Sequence, residues 1–388
     1  MSSEELEQKA REGAATQRRV KKDDFGMVDV PLLVLVLLLT AIGLIMMFSA
    51  SYARAIYNDV SPTYYLLRQG IFAVLGLVAM FVASQLTPRI WMPISKYFYL
   101  FSLAALALVL VPGVGKNVNG ATRWIEVGGI QLQPSEVAKF ALICLLASIA
   151  AKYRDKMDSF FYGVVMFVVP LGFVAVLLLL EPHLSATMIV GLVTMVMMYT
   201  AGTKKGYLIG IVVMLAAVVV VGVQVLGYAG DRITAWLDPE ADAQGDGYQI
   251  IQSLLAIGSG GLFGVGFGKG RQKYLYLPES QNDYVFAIVC EELGLVGALG
   301  IIVLFGLLIF RGYIVAIRAR DRFSSMLGVG IMTQIAVQTV LNLGVVSNLL
   351  PSTGVSLPFF SYGGTSLLMQ LGEMGIMLAI SRYSSSEG

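Results

Sequence analysis

Between Leu277 and Ala287 the chain places Pro278, Glu279, Ser280, Gln281, Asn282 and Asp283, and Glu291, Glu292 and Gly294 follow within the next apolar stretch. Asp283 stands where that stretch begins. A carboxylate there can cap a helix, held by free backbone N–H groups and the helix dipole. It can equally act as a general base, reachable from water and from an apolar phase at once. Apolar surroundings would raise its pKa and a helix terminus would lower it, so residue type and position leave both roles open. Glu291 lies two helical turns further on the same face, and Glu292 about 100° away. Either carboxylate is costly inside an apolar span unless it meets a cavity or a partner, so both are read as structural or cavity-lining.

Three other segments carry chemistry. The first runs from Arg123-Trp124-Ile125 to Gln133-Pro134-Ser135-Glu136 and Lys139. Pro134 suits the first turn of a helix, and Glu136 and Lys139, three apart, share a face. An ion pair closing the helix start is the ordinary reading. The rival is an anion site, since Arg123 would grip phosphate oxygens bidentately and Lys139 would add a point charge. The second runs from Gly258 to Lys273, rich in glycine with Lys269, Arg271 and Lys273. It has no βαβ context for a P-loop or a dinucleotide fingerprint and reads as re-entrant or tightly folded backbone. Its three basic residues, Lys269, Arg271 and Lys273, and Arg232 earlier in the same loop, are the further candidates for holding a pyrophosphate. The third runs from Pro351 to Ser366 and includes Ser361, Gly363 and Gly364; its prolines and glycines imply irregular backbone, tolerated in a membrane where it lines a cavity or is buried in protein. For the two glycines close helix packing is the simpler explanation. His183 is the sole histidine, assigned to packing or hydrogen bonding, and Cys144 and Cys290 offer neither metal spacing nor a disulfide framework.

The elements that must position these residues are membrane spans. The 388 residues are 57% hydrophobic and 13% charged, against about 25% charged in an ordinary soluble domain. The formal charge is +2, so bulk electrostatics imply no nucleic-acid partner. A helix needs roughly 20 apolar residues to cross a bilayer, and about ten candidates occur, at roughly 30–51, 66–86, 97–114, 137–151, 159–180, 184–202, 206–228, 284–310, 323–347 and 358–381. With the N-terminus in the cytoplasm, 18 of the 27 basic residues fall on the cytoplasmic side, as the positive-inside rule requires. Both termini are then inside, and two long segments, about 115–136 and about 229–283, lie outside; connections longer than about 12–15 residues are usually functional. The expected organisation is a polar leader over 1–29, a membrane domain over 30–383 and a cytoplasmic tail over 384–388. The leader is charged and expected to be disordered, and the first apolar run is too long for a cleaved signal.

Taken in order, the blocks around Arg123, Gln133 to Lys139, Leu277 to Asp283, Glu291 to Gly294 and Pro351 to Ser366 resemble the motifs of the SEDS family of bacterial cell-wall glycosyltransferases. Phe48 to Ser51 and Gly247-Tyr248-Gln249 match as well. The run from Gln272 to Glu279 is most similar to the division and sporulation branch, the FtsW-like proteins, rather than the elongation branch. Asn282, His183 and Asn348 depart from the residues usual in the family, which bears on the branch.

The resemblance implies an all-α, ten-span fold with a large extracellular loop between spans 7 and 8. It implies polymerisation of lipid II into peptidoglycan strands outside the cytoplasmic membrane, beside a class B penicillin-binding protein and other divisome proteins at the septum. The family's catalytic aspartate falls on Asp283; Arg123, Lys139, Lys273 and Arg232 are assigned to the pyrophosphate head group, with Glu136, Glu279, Glu291, Ser361, Gly363 and Gly364 in support. A divalent cation, Mg2+ or Mn2+, is the one cofactor entertained. Two other classes stay open on sequence alone: a lipid II flippase, which needs polar residues along a path through the bilayer, and a noncatalytic divisome scaffold, which needs no Asp283.

Overall fold

The computed structural model describes residues 26–118, 121–128, 130–214, 230–245 and 247–384. In chain order, α1 (Val30–Tyr57), α2 (Tyr64–Gln85) and α3 (Trp91–Val109) lead into a small antiparallel sheet, β1 (Gly115–Val118), β2 (Ala121–Val127) and β3 (Ile130–Leu132). Then come α4 (Pro134–Lys152), α5 (Met166–Leu180, continuing a π-helical turn), α6 (Leu184–Ala201) and the short α7 (Lys205–Met214). The long outer segment contributes α8 (Gly230–Leu237) and α9 (Tyr248–Gly260), followed by α10 (Val285–Ile317), α11 (Arg322–Val346) and α12 (Gly364–Ser384). Eight of these, α1 to α6, α10 and α11, are long and apolar enough to cross a bilayer.

The remaining two expected spans come out differently. The one expected over 206–228 is helical to Met214, and 215–229 lie outside the described residues, as do 1–25 of the leader and 385–388 of the tail. The one expected over 358–381 starts at Gly364, because residues 351–363 follow an irregular path with Gly354 and Phe359 at φ +61° and +64°. Its 21 residues make about 32 Å of helix, enough to span, but it carries Gln370 and Glu373 on a buried face. The sheet was not anticipated. β1 and β3 are short and β2 breaks alternation at Thr122-Arg123 and Trp124-Ile125; the strands pair as a meander with Ile125 opposite Leu132 and Lys116 opposite Trp124.

Polarity sorts the helices into layers. α4 and α11 are each 78% buried along their apolar window, whereas α2 is 22% buried. The inner helices hold Ser135, Glu136, Lys139, Gln334, Gln338 and Asn342, all buried. Facing lipid, such groups would lose their water with nothing in exchange. α12 packs deep beside α2: a Cβ at Gly76 would overlap Leu371, and one at Gly364 would overlap the ring of Phe72. At the end expected to be cytoplasmic, Asp29 accepts from Leu32 N at 2.9 Å, capping α1, and pairs with Arg311 at 2.8 Å. Arg89 pairs with Asp321, which caps α11.

One helix is deliberately broken. α10 kinks at Gly294 (φ +66°, ψ −168°), and the glycine-rich loop after α9 docks into the gap. Val265 and Gly266 donate to the carbonyls of Glu291 and Glu292 at 3.0 and 3.1 Å, while Leu295 and Val296 donate to Gly261 and Leu262 at 2.9 and 3.1 Å. Four backbone groups orphaned by the kink are thus satisfied inside the membrane domain, as hydrocarbon demands. Because the docking lies six or more residues inside α10, the loop is re-entrant. Substituting Gly294→Ala forces a side chain into a φ/ψ region that only glycine occupies freely and against the backbone of Leu262 and Gly264. We expect it to lower stability by on the order of 1–3 kcal/mol, read as an earlier thermal transition of the detergent-solubilised protein.

Candidate active site

Asp283 is the last residue but one before α10, and contacts to it and to its neighbours fix it. The side-chain amide of Asn342, on α11, donates to the carbonyls of Asp283 and Val355, each at 2.7 Å. That amide ties the start of α10 to the irregular segment 351–363. Tyr362 N donates to Gln281 O at 2.9 Å, tying the same two segments again. Gly354 presses its backbone against the carboxylate: a Cβ there would stand 3.0 Å from Asp283 Oδ2. Glu279, at φ +52°, turns the chain so that Asn282 N reaches Glu279 O at 2.9 Å.

The carboxylate of Asp283 lines a cavity of about 750 Å³ bounded by α2, the sheet, α4, the start of α6 and the segment 354–367. The same cavity meets Arg54, Arg68, Arg123, Lys139, Glu136 and His183. Burial pushes the Asp283 carboxyl up to about 6, Glu279 adds to the rise, and the charge of Arg123 opposes it. The helix terminus, which would have lowered it, does not prevail; burial does.

Arg123, on β2, reaches over the α5–α6 turn. Its Nε donates to Glu181 O at 3.3 Å and its Nη2 donates to Pro182 O. In that turn burial pushes the Glu181 carboxyl up to about 8 against the pull of Arg123. Burial, then the charges of Arg123 and Lys139, press the His183 imidazole down to about 3, so it is neutral in the physiological range. Lys139 and Glu136 form a buried ion pair at 2.9 Å, as their spacing suggested, and Ser366 Oγ donates to Glu136 Oε2 at 3.3 Å. Ion pairing and exposure to the cavity coexist here.

The other predicted site residues divide. Glu279 lines the cavity and is held by Arg54 at 3.3 Å. Ser361, Gly363 and Gly364 line it too, with Ser361 Oγ accepting from Leu357 N at 2.8 Å and Gly363 N donating to Gln69 at 3.2 Å. Lys273 does not reach the cavity. Its ammonium is buried and donates to Glu292 at 2.7 Å, Gly268 O at 2.8 Å and Ser49 Oγ at 2.9 Å, which engages all three N–H groups. Glu291 accepts from the backbone N–H of Arg271 at 2.6 Å and Gln272 at 3.2 Å, so both carboxylates anchor the re-entrant loop. Arg232 is on α8, and its side chain lies outside the described residues. Sequence reasoning missed Arg54, Arg68 and Gln69, at the outer ends of α1 and α2; a basic residue one turn inside an outer span boundary was the available signal.

The family model described as "Cell cycle protein", covering FtsW, RodA and SpoVE, matches residues 30–386. The chain belongs to this family. Among SEDS relatives, it is 40% identical over 353 residues to a probable peptidoglycan glycosyltransferase FtsW of Geobacter metallireducens, covering 91% of this chain and 94% of that one. It is 41% identical over 360 residues to stage V sporulation protein E of Bacillus subtilis, covering 92% and 97%. Of solved SEDS-like folds, a chain in a peptidoglycan synthase complex, described for its structural coordination of polymerization and crosslinking, superposes with a TM-score of 0.76 at 31% identity, covering 93% of this chain and 99% of that one. The rod shape determining protein RodA of Thermus thermophilus gives 0.68 at 29%, covering 93% and 98%. The SEDS fold is thus present over nearly the whole chain.

The placement of Lys273 makes a sharp expectation. Lys273→Ala leaves the Glu292 carboxylate buried without its cation, a change that costs about 3–5 kcal/mol in buried pairs. The variant should unfold early or fail to accumulate in the membrane, as measured by thermal stability and yield. A stable Lys273→Ala protein defective only in binding a pyrophosphate would return this lysine to the substrate site.

Proposed function

We propose that this SEDS protein is a peptidoglycan glycosyltransferase that polymerises lipid II into β-1,4 glycan strands at the outer face of the cytoplasmic membrane during septal wall synthesis. One observation carries the reading: a carboxylate of raised proton affinity, Asp283, shares one outward cavity with the cations Arg123 and Lys139. That is what transfer of a glycosyl group from a pyrophosphate requires, a base at the acceptor and positive charge at the leaving group.

The donor sugar is α-linked to pyrophosphate and the polymer is β-linked, so a single displacement with inversion suffices. Asp283 takes the proton of the acceptor's 4-hydroxyl as that oxygen attacks the anomeric carbon. The anomeric C–O bond breaks, and its electrons pass to the pyrophosphate. Arg123 and Lys139 stabilise that charge as it grows, favouring the transition state over the ground state. Retention would require a second carboxylate about 5–5.5 Å away as nucleophile. Glu279 and Glu136, the other cavity carboxylates, are engaged by Arg54 and Lys139. Among the described residues no three His, Cys, Asp or Glu side chains converge on a metal position. A divalent cation is therefore proposed to enter with the substrate's phosphates, as Mg2+ commonly does, and no step here is routed through it.

The cavity rim includes Ile71 and Leu75 of α2, which are 60% and 50% exposed on the lipid side, a route by which polyprenyl chains stay in the bilayer while their sugars meet outside. Cytoplasmic termini, supported by the basic-residue asymmetry, put this cavity on the outer face. A class B penicillin-binding protein is the proposed partner, supported by the relative from a complex that couples polymerization to crosslinking.

Purified protein given labelled lipid II, with products resolved by length, tests the proposal. Asp283→Asn keeps size and capping ability but takes no proton, and it should lose about 10²–10⁴-fold in rate while inserting normally. Near wild-type polymerisation by that variant would leave Asp283 a mere cap. The base must be ionised to act, so kcat/KM should be level above about 6 and fall as pH drops through that value. Arg123→Ala should lose about 10²–10³-fold in kcat, and wild-type rates in both Arg123→Ala and Lys139→Ala would reject the leaving-group site.

A further inference from the structure

Beneath the cavity runs a polar seam that this mechanism does not use. α11 presents Asn342, Gln338 and Gln334 at four-residue intervals, hence on one face. All three carboxamide oxygens are buried without a hydrogen-bond partner. Asn342 holds the carbonyl of Asp283, and Gln338 lines the cavity. Gln334, the deepest, donates to both oxygens of Glu373 at 3.0 and 3.2 Å. Glu373 is 1% exposed and nine residues inside α12, about 13 Å below its outer end.

The charges in this seam do not balance. Glu136 and Glu373 are two carboxylates, and Lys139 is the one ammonium among them. A net negative charge at that depth is expensive, and a proton on one carboxylate removes it. Glu136 already holds Lys139 and the Ser366 hydroxyl in contact, whereas Glu373 is in hydrogen-bond contact with a neutral carboxamide alone. The proton therefore belongs on Glu373, where the Gln334 amide, turned over, would accept it. The surrounding elements add little. α4 supplies Lys139, Glu136 and the Cys144 thiol. The charged residue of α2 is Arg68, at its outer end with Tyr64 and Tyr65; Arg322 of α11 is held at the opposite end by the carbonyls of Thr200 and Ala201, Arg54 of α1 is committed to Glu279, Glu291 and Glu292 of α10 to the re-entrant loop, and Arg311 to Asp29.

We propose that Glu373 is a proton-binding site coupled through Lys139 to the anion subsite of the cavity. Protonated Glu373 leaves Lys139 to Glu136 and the donor's pyrophosphate, whereas ionised Glu373 draws on the same ammonium. Donor binding and proton binding then favour each other, and the coupling is reciprocal. The inference rests on the proposed position of the pyrophosphate beside Lys139.

Titration calorimetry of the full-length protein in detergent, with farnesyl pyrophosphate as probe and two buffers of different ionisation enthalpy near pH 8, reads the coupling directly. The wild type should take up a fraction of a proton on binding, and its affinity should fall by up to about tenfold per pH unit on the alkaline side. Glu373→Gln, with Glu373→Met as a second variant should the first fold poorly, should bind with no such uptake and a flatter pH profile. Glu181→Gln, which removes a buried carboxyl that adjoins the cavity beside Arg123 and lies outside the seam, should keep the uptake. No uptake in the wild type, or wild-type uptake in the Glu373 variants, overturns the inference. Binding lost in Lys139→Ala alongside undiminished uptake in Glu373→Gln overturns it while leaving the pyrophosphate site intact. Wild-type binding in Lys139→Ala removes that site, and the inference with it.

Discussion

Hydrocarbon offers no hydrogen bonds, and the rest of this structure follows from that. Every charge and irregular backbone stretch that the chemistry needs must find its partners within the protein. α4, α11 and α12 carry most of the intramembrane polar groups and form the interior, while α2, α3, α5 and α10 present mainly apolar surface outward. The polar interior opens at the cavity of about 750 Å³, where Glu136, Lys139 and Glu279 line the wall and keep their partners.

The broken α10 applies the same constraint to position. Gly294 interrupts the helix, and the loop from Gly261 to Lys273 fills the break with backbone hydrogen bonds. Gly270 approaches so closely that a Cβ would stand 2.7 Å from Glu291 and 3.0 Å from Glu292. With Lys273 locked on Glu292, the loop, the start of α10 and the outer half of α1 at Ser49 become one body. Asp283 rides on that body, a few residues before the first turn of α10. The carboxylate pair Glu291 and Glu292 thus bears on Asp283 only through the loop and helix start that it anchors.

Electrostatics then differentiates groups that look alike in sequence. Asp283, Glu181 and His183 line or adjoin one cavity, yet burial moves the first to about 6, the second to about 8 and the third to about 3. Separated proton affinities of this kind let neighbouring groups hold different protonation states at one pH. Arg123 is common to all three, lowering each, so its position on a short strand influences the whole set.

Hydrophobic runs about 20 residues long, the basic residues between them and the ordered motifs sufficed to establish a membrane protein, the spans α1 to α6, α10 and α11, and the SEDS family. These are legible because length, polarity and local spacing are properties of the chain itself. Asp283, Glu136 and Lys139 were legible for the same reason, since a carboxylate at a span edge and an i,i+3 pair announce themselves locally. Lys273 was misassigned because a basic residue in an outer loop looks solvent-facing until the loop is seen to re-enter and offer it a buried carboxylate. The sheet, the late start of α12 at Gly364, the cavity cations Arg54 and Arg68, and the seam from Asn342 to Glu373 were equally hidden. Each depends on which residues far apart in sequence come within a few ångströms, and only the packing of helices against one another decides that.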